Sequence, residues 1–298
     1  MINHGDNLDG EAGATGRRRR RLFRQRKIPV RYLVPNFFTL LSLCAGVTAI
    51  RMAIESRHEF AIALIVAAAL LDAVDGRVAR ALKAQSRFGA ELDSLADFVN
   101  FGVAPAIVVY TWGLGGLKGF GWLAALVFTC GMSLRLARFN AMLEVDKPKW
   151  QSGYFTGMPA PAGAITVLLP LFLDGIGLAW MPDLKHLPLA VSLYTLALAG
   201  LLVATIPTFS GKLLGERISR EWVLFFLVVA AALVGLLVTF PFPMLAIATL
   251  LYLASIPLSY RRYRRQQRQW DSDNPAAEAM PVAPQTAALQ SPPGETKH

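Results

Sequence analysis

The amino-acid sequence predicts an all-α polytopic membrane protein, a helix bundle with about eight transmembrane helices. Of its 298 residues, 54% are hydrophobic and only 17% are charged, whereas soluble domains carry about 25% charged residues. The apolar residues are gathered into long runs, several of which reach the roughly 20 residues that a helix needs to cross a bilayer. The basic residues are concentrated in alternate gaps between these runs, which is typical of membrane proteins with a defined orientation.

Eight apolar runs define the expected spans, and the shorter runs are expected to end in polar residues at the membrane interface. In chain order the spans are Leu33–Ile50, Phe60–Asp75, Leu92–Trp112, Phe120–Phe139, Pro159–Leu173, Leu187–Phe209, Trp222–Phe240 and Pro243–Tyr260. The fifth span is expected to be the least regular helix, because it is interrupted by Pro159, Pro161, Gly163 and Pro170.

The distribution of Lys and Arg orients the bundle. With eight spans and a cytoplasmic N-terminus, 26 of the 30 basic residues fall on the cytoplasmic side. The four that fall elsewhere are Arg51, Arg57, Lys118 and Lys185. The positive-inside rule therefore predicts that both termini are cytoplasmic. The expected location is the bacterial inner membrane, with the endoplasmic reticulum as the alternative.

The chain ends differ in composition from the part between them. Residues 1–27 are rich in Gly, Asp and Arg, and residues 266–298 are rich in Pro, Ala and Gln. Both are expected to be disordered tails flanking one membrane domain at residues 28–265. The net charge of +10 is attributed to membrane topology and to anionic lipids, not to nucleic acid. Basic clusters beside spans both set the orientation of a membrane protein and attract anionic lipids.

Four aspartates stand out against the apolar background, as two pairs at the ends of the second and third spans. Asp72 and Asp75 are spaced i,i+3, and Asp93 and Asp97 are spaced i,i+4, so each pair projects from one helix face. Ionised carboxylates that converge repel one another unless a cation neutralises them. Their hard oxygen atoms suit Mg²⁺, Mn²⁺ or Ca²⁺. The pattern indicates a divalent-metal site for phosphate chemistry, because ionisable residues within spans are usually functional.

Smaller residues and one arginine accompany the aspartates. Gly76 either ends a helix or lets a phosphate approach the backbone closely. Arg80 is either a topogenic charge or a bidentate phosphate donor one turn beyond Asp75. At Ala79 and Gly89, a larger side chain is expected to crowd whatever the carboxylates bind.

Taken together, Asp72-x2-Asp75-Gly76-x2-Ala79-Arg80-x8-Gly89-x3-Asp93-x3-Asp97 resembles the signature of the CDP-alcohol phosphatidyltransferases. The resemblance implies a six-helix core in which the four aspartates hold two divalent ions, Mg²⁺ or Mn²⁺. It implies a CDP-lipid at the cytoplasmic interface, lined by Gly76, Ala79 and Arg80, and it makes Asp97 the general base. We assign Gly89 and Asn36 to the same CDP-lipid site. A homodimer is also implied.

Further segments resemble the serine-using branch of this family, and the likeness extends over about residues 33–260. They are Pro35-Asn36, Leu92–Pro105, Arg135–Asn140 and Phe155–Pro161. This likeness implies that CDP-diacylglycerol and L-serine are the substrates and that phosphatidylserine and CMP are the products. The chain departs from the pattern at Asn100, where a serine is expected, so a hydroxyl has no role there.

A serine pocket needs a cation for the carboxylate and hydrogen-bond partners for the rest of the molecule. Arg135 and Arg138 lie i,i+3 at the cytoplasmic end of the fourth span. They either bind the serine carboxylate or belong to the basic residues that set membrane orientation. Asn140 and Thr156 are the expected hydrogen-bond partners, with helix capping as the alternative.

Two other functions are compatible with the aspartates. The first keeps the same chemistry but uses another alcohol, such as glycerol phosphate, inositol phosphate or choline. The second is a divalent-cation transporter, since aspartates within spans also mark ion paths. A transporter of that kind predicts two related halves with charges near the bilayer midplane, whereas this sequence has no internal repeat and its acids cluster at one end.

Overall fold

A computed structural model describes residues 33–117, 119–142, 154–177, 187–209 and 220–273. The expected N-terminal tail at residues 1–27 lies outside these ranges, as does the part of the expected C-terminal tail beyond residue 273. Within the described ranges the chain forms eight successive helical segments, which confirms the predicted all-α membrane bundle.

The eight segments contain α1 Leu33–Ile54, α2 His58–Ala81, α3 Arg87–Asp97, α4 Ala104–Val109, α5 Gly119–Ala141, α6 Ala160–Val167, α7 Leu169–Ile176, α8 Pro188–Val203, α9 Arg220–Thr239 and α10 Pro241–Asp273. Helices α3 and α4 belong to one segment, and so do α6 and α7. Five helical segments are long and apolar enough to cross a membrane: α1, the segment from α3 through α4, α5, α9 and α10. Helix α2 has 24 residues but carries the charges of the aspartate motif, and α8 is shorter, with 16 residues.

Helices α1 and α2 form an antiparallel hairpin and pack together more extensively than other pairs of elements in the described chain. Both helices bury small residues, including Ala49 and Ala53 on α1 and Ala61 and Ala68 on α2. Without a hydrophobic driving force inside lipid, small side chains stabilise helix pairs by letting the backbones approach closely. This packing fixes α1 against the helix that carries Asp72 and Asp75.

The third helical segment changes its winding directly after Asp97. Helix α3 continues as a π-helical turn at Phe98–Val103 and then as α4. Pro105 has no N–H to donate to the carbonyl four residues earlier, and the N–H of Ala104 donates to the carbonyl of Val99, five residues earlier. Such π-turns inside α-helices are frequent at functional sites.

The fifth span is broken, as its prolines predict. Helices α6 and α7 are separated at Leu168, and Pro170 lies in the first turn of α7, where its missing N–H leaves no intrahelical bond unmade. Gly177 ends α7 in the left-handed conformation with φ +65°, which glycine adopts without steric cost.

The sixth span is shorter than the sequence predicts. The predicted span Leu187–Phe209 is helical only to Val203, and its end forms strand β2, Pro207–Phe209. This strand pairs antiparallel with β1, Tyr154–Thr156. Pro207 cannot donate a helical hydrogen bond, so the apolar run leaves the helix before reaching it.

The last two helices lie at the edge of the described bundle. The residues of α9 from Trp222 onward are almost all exposed, as expected for side chains that face lipid. Helix α10 continues to Asp273, well beyond the predicted span Pro243–Tyr260. Residues 266–273, which the sequence assigns to a disordered tail, are therefore helical.

Candidate metal and nucleotide site

The structure brings together carboxylates from two helices. One carboxylate oxygen from each of Asp72, Asp75 and Asp93 lies within 4.8 Å of the other two. Asp97 does not belong to this group of three, but its carboxyl group lies beside that of Asp72 and interacts with it electrostatically. The four aspartates of the motif thus form one acidic cluster between α2 and α3.

The connection between α2 and α3 explains why the two pairs meet. The chain reverses within a few residues, and Lys83 adopts a left-handed conformation with φ +50°. Ser86 then caps α3, because its side-chain oxygen accepts a hydrogen bond of 2.9 Å from the N–H of Gly89. The start of α3 therefore lies beside the end of α2, which places Asp93 opposite Asp75.

The donor set of this cluster fits a hard divalent ion. Three carboxylate oxygens within 4.8 Å of one another repel each other strongly in a setting that is only partly exposed to water. Asp75 is 4% exposed, so water screens its charge poorly. Mg²⁺ and Mn²⁺ prefer such oxygen ligands, and Asp72, Asp75, Asp93 and Asp97 are the residues that could hold them.

A cavity of about 170 Å³ opens beside the acidic cluster. Its walls include all the residues assigned from the sequence to the CDP-lipid: Asn36, Gly76, Ala79, Arg80 and Gly89. Asp75 and Asp93 also line it, whereas Asp72 and Asp97 do not. The cavity therefore connects two of the carboxylates with the residues that are expected to contact a nucleotide.

The two glycines of this cavity lack a side chain for different reasons. A Cβ atom on Gly76 would meet no atom within 4 Å, so this position faces open space. A Cβ atom on Gly89 would lie 3.0 Å from Oδ1 of Asn36 and 3.1 Å from Oγ of Ser86. Gly76 thus leaves room for a ligand, whereas Gly89 permits close packing of α3 against α1 and its own cap.

The two arginines assigned to serine differ in their surroundings. Nε of Arg135 donates a hydrogen bond of 2.8 Å to the carbonyl oxygen of Met158, and its guanidinium group interacts electrostatically with Asp97. Nη1 of Arg138 donates a hydrogen bond of 2.6 Å to the carbonyl oxygen of Val203, the last residue of α8. Arg135 is therefore coupled to the acidic cluster, whereas Arg138 caps a helix end.

The other two residues assigned to serine are placed less centrally. Nδ2 of Asn140 donates a hydrogen bond of 2.9 Å to Oγ of Ser94, which lies on α3 one residue after Asp93. Thr156 belongs to strand β1, and its side chain lies outside the described part of the chain. Asn140 thus joins the end of α5 to the helix that carries two of the aspartates.

Two polar residues of α1 that were not predicted from the sequence, Thr39 and Ser42, support the site. Oγ1 of Thr39 donates a hydrogen bond of 2.7 Å to Oδ2 of Asp75. Oγ of Ser42 donates to the carbonyl oxygen of Ala68 on α2 at 2.9 Å. Thr39 and Ser42 follow Asn36, which was predicted, at intervals of three residues along α1. This spacing is the sequence signal that indicates a shared polar face.

Asn100, where a serine is expected, is fully buried. Its Nδ2 donates a hydrogen bond of 2.8 Å to Oγ of Ser42. A Cβ atom on Gly46 would collide with its Oδ1. Asn100 therefore links the π-helical turn to α1, and Gly46 leaves the space that its amide needs.

Comparisons with known proteins identify the family of this chain. The sequence profile described as CDP-alcohol phosphatidyltransferase matches residues 32–206, which include all four aspartates. A second profile, described as CDP-alcohol phosphatidyltransferase 2, matches residues 221–257.

Individual relatives cover most of the chain. A CDP-diacylglycerol–serine O-phosphatidyltransferase of Mycobacterium leprae is 41% identical over 235 residues, which is 78% of this chain and 76% of that protein. The protein of the same name from Mycobacterium tuberculosis (strain H37Rv) is 39% identical over 80% of this chain and 83% of its own length. An archaetidylserine synthase of Methanothermobacter thermautotrophicus is 32% identical over 49% of this chain and 60% of its own length.

Proposed function

Because this chain belongs to the CDP-alcohol phosphatidyltransferase family, we propose that it transfers the phosphatidyl group of CDP-diacylglycerol to the hydroxyl group of L-serine. The products are phosphatidylserine and CMP, and the reaction belongs to phospholipid biosynthesis. The observation that carries the choice of serine is the 39–41% identity, over about four fifths of the chain, to relatives named as serine O-phosphatidyltransferases.

In the proposed reaction, the serine hydroxyl oxygen attacks the phosphorus atom that carries the diacylglycerol. A new P–O bond forms to serine, the bond between this phosphorus and the oxygen of CMP breaks, and the hydroxyl proton passes to a base. Asp97 is the proposed base, because the family resemblance implies this role and because it lies beside Asp72 but outside the group of three close carboxylates. Divalent ions, when bound, supply positive charge that offsets the charge on the pyrophosphate and on the departing CMP.

The cavity beside α2 is the proposed binding site for the CDP part of the donor. Gly76 faces open space there, so a phosphate group can approach the backbone of α2. Arg80 lines the same cavity, and a guanidinium group is suited to a phosphate oxygen. Ala79, Gly89 and Asn36 complete the proposed lining.

Arg135 is the proposed partner of the serine carboxylate. Its Nε is occupied by the carbonyl of Met158, while the described residues offer no hydrogen bond to its two terminal nitrogens, which can bind a carboxylate. Its interaction with Asp97 supports a carboxylate site close to the proposed base. Asn140 and Thr156 remain proposed hydrogen-bond partners, and Arg138 is proposed to support the site through α8.

The chain is a multi-pass membrane protein, and we place it in the bacterial inner membrane with both termini and the active site on the cytoplasmic side. The bias of 26 among 30 basic residues supports this orientation. Arg77, Arg80 and Arg87 surround the connection between α2 and α3, at the same end as the aspartates. The catalytic unit is proposed to span residues 28–265 and to act as a homodimer.

A substrate-competition assay tests the proposed function. Purified protein in detergent receives CDP-diacylglycerol and Mg²⁺ or Mn²⁺, and CMP release is compared for L-serine, glycerol 3-phosphate, inositol phosphate and choline. We expect serine-dependent CMP release with an equal amount of phosphatidylserine. Glu91→Gln, which removes an exposed carboxylate of α3 near Asp93, should retain this activity.

CMP release that depends on another alcohol would overturn the choice of serine while keeping the family chemistry. Flux of divalent ions into proteoliposomes without any CMP release would overturn the enzymatic proposal itself.

A further inference from the structure

Helix α1 contributes none of the four aspartates, yet its side chains reach the acidic cluster. We propose that Thr39 is a positioning residue, which orients the carboxylate of Asp75 so that the cluster can bind a divalent ion. This inference rests on the metal site of the proposed function, and it assigns part of that site to a helix without carboxylates.

The hydrogen bond between the two side chains is short and shielded from water. Oγ1 of Thr39 lies 2.7 Å from Oδ2 of Asp75, and both residues are only 4% exposed. The same hydroxyl lies 3.2 Å from the carbonyl oxygen of Pro35. A hydroxyl has one proton to donate, and the shorter, charge-assisted bond to a carboxylate is the stronger of the two. The proton of Thr39 is therefore assigned to Asp75.

This bond limits how Asp75 can respond to its neighbours. One of its oxygens lies within 4.8 Å of oxygens of Asp72 and Asp93, so like charges favour rotation of the side chain away from the cluster. The two oxygens of a carboxylate move as one rigid group. A hydroxyl that holds Oδ2 therefore fixes the whole group in the orientation that keeps three ligand atoms together.

The donor itself is held in a rigid frame. Three residues further along α1, Ser42 donates to the carbonyl oxygen of Ala68 on α2 at 2.9 Å. Ser42 also accepts a hydrogen bond of 2.8 Å from Asn100 of the π-helical turn. These bonds tie α1 to both helical segments that carry the aspartates, so the position of the Thr39 hydroxyl relative to Asp75 is set by the fold.

A set of substitutions separates orientation of Asp75 from simple packing. Thr39→Val removes the hydroxyl and keeps the branched shape, whereas Thr39→Ser keeps the hydroxyl and removes a methyl group. Thr39→Ala removes both the hydroxyl and the methyl group, and it controls for any steric effect of the valine side chain. Thr48→Val is the matched control, because Thr48 is exposed on the same helix and its hydroxyl donates only to the carbonyl of Cys44, at 2.6 Å.

The readout is Mn²⁺ binding to each purified variant, measured by electron paramagnetic resonance without substrates, with serine-dependent CMP release as the second readout. Loss of a group that orients a metal ligand typically costs about 10- to 100-fold in affinity. We expect Thr39→Val and Thr39→Ala to lose Mn²⁺ affinity by this factor. Thr39→Ser should recover most of it, and Thr48→Val should bind as the unsubstituted protein does.

Two results would overturn the inference: Mn²⁺ affinity of Thr39→Val and Thr39→Ala equal to that of the unsubstituted protein, or an equal loss in Thr39→Ser. Failure of the proposed function gives a different result, since a protein that uses another acceptor would still lose Mn²⁺ affinity on Thr39→Val.

Discussion

Replacing Gly76 by leucine should block the donor while leaving the helix bundle intact. A Cβ atom at this position meets no protein atom within 4 Å, so the leucine side chain extends into the cavity of about 170 Å³. Helix α2 should tolerate the change, because glycine is less favourable in a helix interior than most other residues, by up to about 1 kcal/mol relative to alanine. The substitution should therefore maintain or raise thermal stability.

The loss of donor binding follows from the same geometry. A bound CDP-lipid must move to make room for the leucine, and overfilling a packed space typically costs about 1–3 kcal/mol. This corresponds to roughly 5- to 150-fold weaker binding. The assay is equilibrium binding of CDP-diacylglycerol in detergent, with a thermal unfolding curve for each variant.

Gly235→Leu is the matched control for this experiment. Gly235 lies within α9, its Cβ would also meet no atom within 4 Å, and it does not line the cavity. This variant should bind the donor normally. Unchanged donor affinity in Gly76→Leu, with an intact fold, would refute the argument that the nucleotide approaches α2 at this glycine.

Three further predictions concern the acids and the arginines. Asp97→Asn should lower turnover by about 10²- to 10⁴-fold, the usual contribution of a general base, while CDP-diacylglycerol still binds; lost donor binding would instead assign Asp97 a structural role. Chelation with EDTA should abolish CMP release, and added Mg²⁺ or Mn²⁺ should restore it; activity that persists in EDTA would contradict metal dependence. Arg135→Gln should raise the KM for serine about 10-fold or more, because a hydrogen bond to a charged group contributes roughly 1.5–3 kcal/mol. Arg138→Gln should mainly lower thermal stability. Equal effects of the two substitutions on KM would contradict the assignment of serine binding to Arg135 and of helix capping to Arg138.

Much of the fold follows from elementary physical chemistry. The apolar runs predicted eight spans, and the described chain forms eight helical segments, five of which are long and apolar enough to cross a membrane. The prolines predicted an interruption of the fifth, which occurs at Leu168. The end of the sixth span at Val203 and the pairing of β1 with β2 were not predicted. Strand pairing depends on a partner about 50 residues away in the chain, and the hydropathy of Leu187–Phe209 contains no signal for it.

The candidate site was predictable in its charges but not in its supporting contacts. The spacing of the aspartates predicted one cluster of all four, and the structure groups Asp72, Asp75 and Asp93 most closely, with Asp97 beside Asp72. The role of α1 was not predictable, because the bond from Thr39 to Asp75 depends on how α1 and α2 pack. The partners of Arg135 and Arg138 likewise come from the segment before α6 and from the end of α8, which only the tertiary structure brings near α5.

Counting the Mn²⁺ ions bound per chain tests the central claim most directly, namely that aspartates from two helices jointly hold divalent ions. Equilibrium dialysis in the presence of CDP-diacylglycerol should give two ions for the unsubstituted protein and for Glu91→Gln. Asp75→Asn on α2 and Asp93→Asn on α3 should each lower that number or the affinity. Equal Mn²⁺ binding by all four proteins would contradict the account.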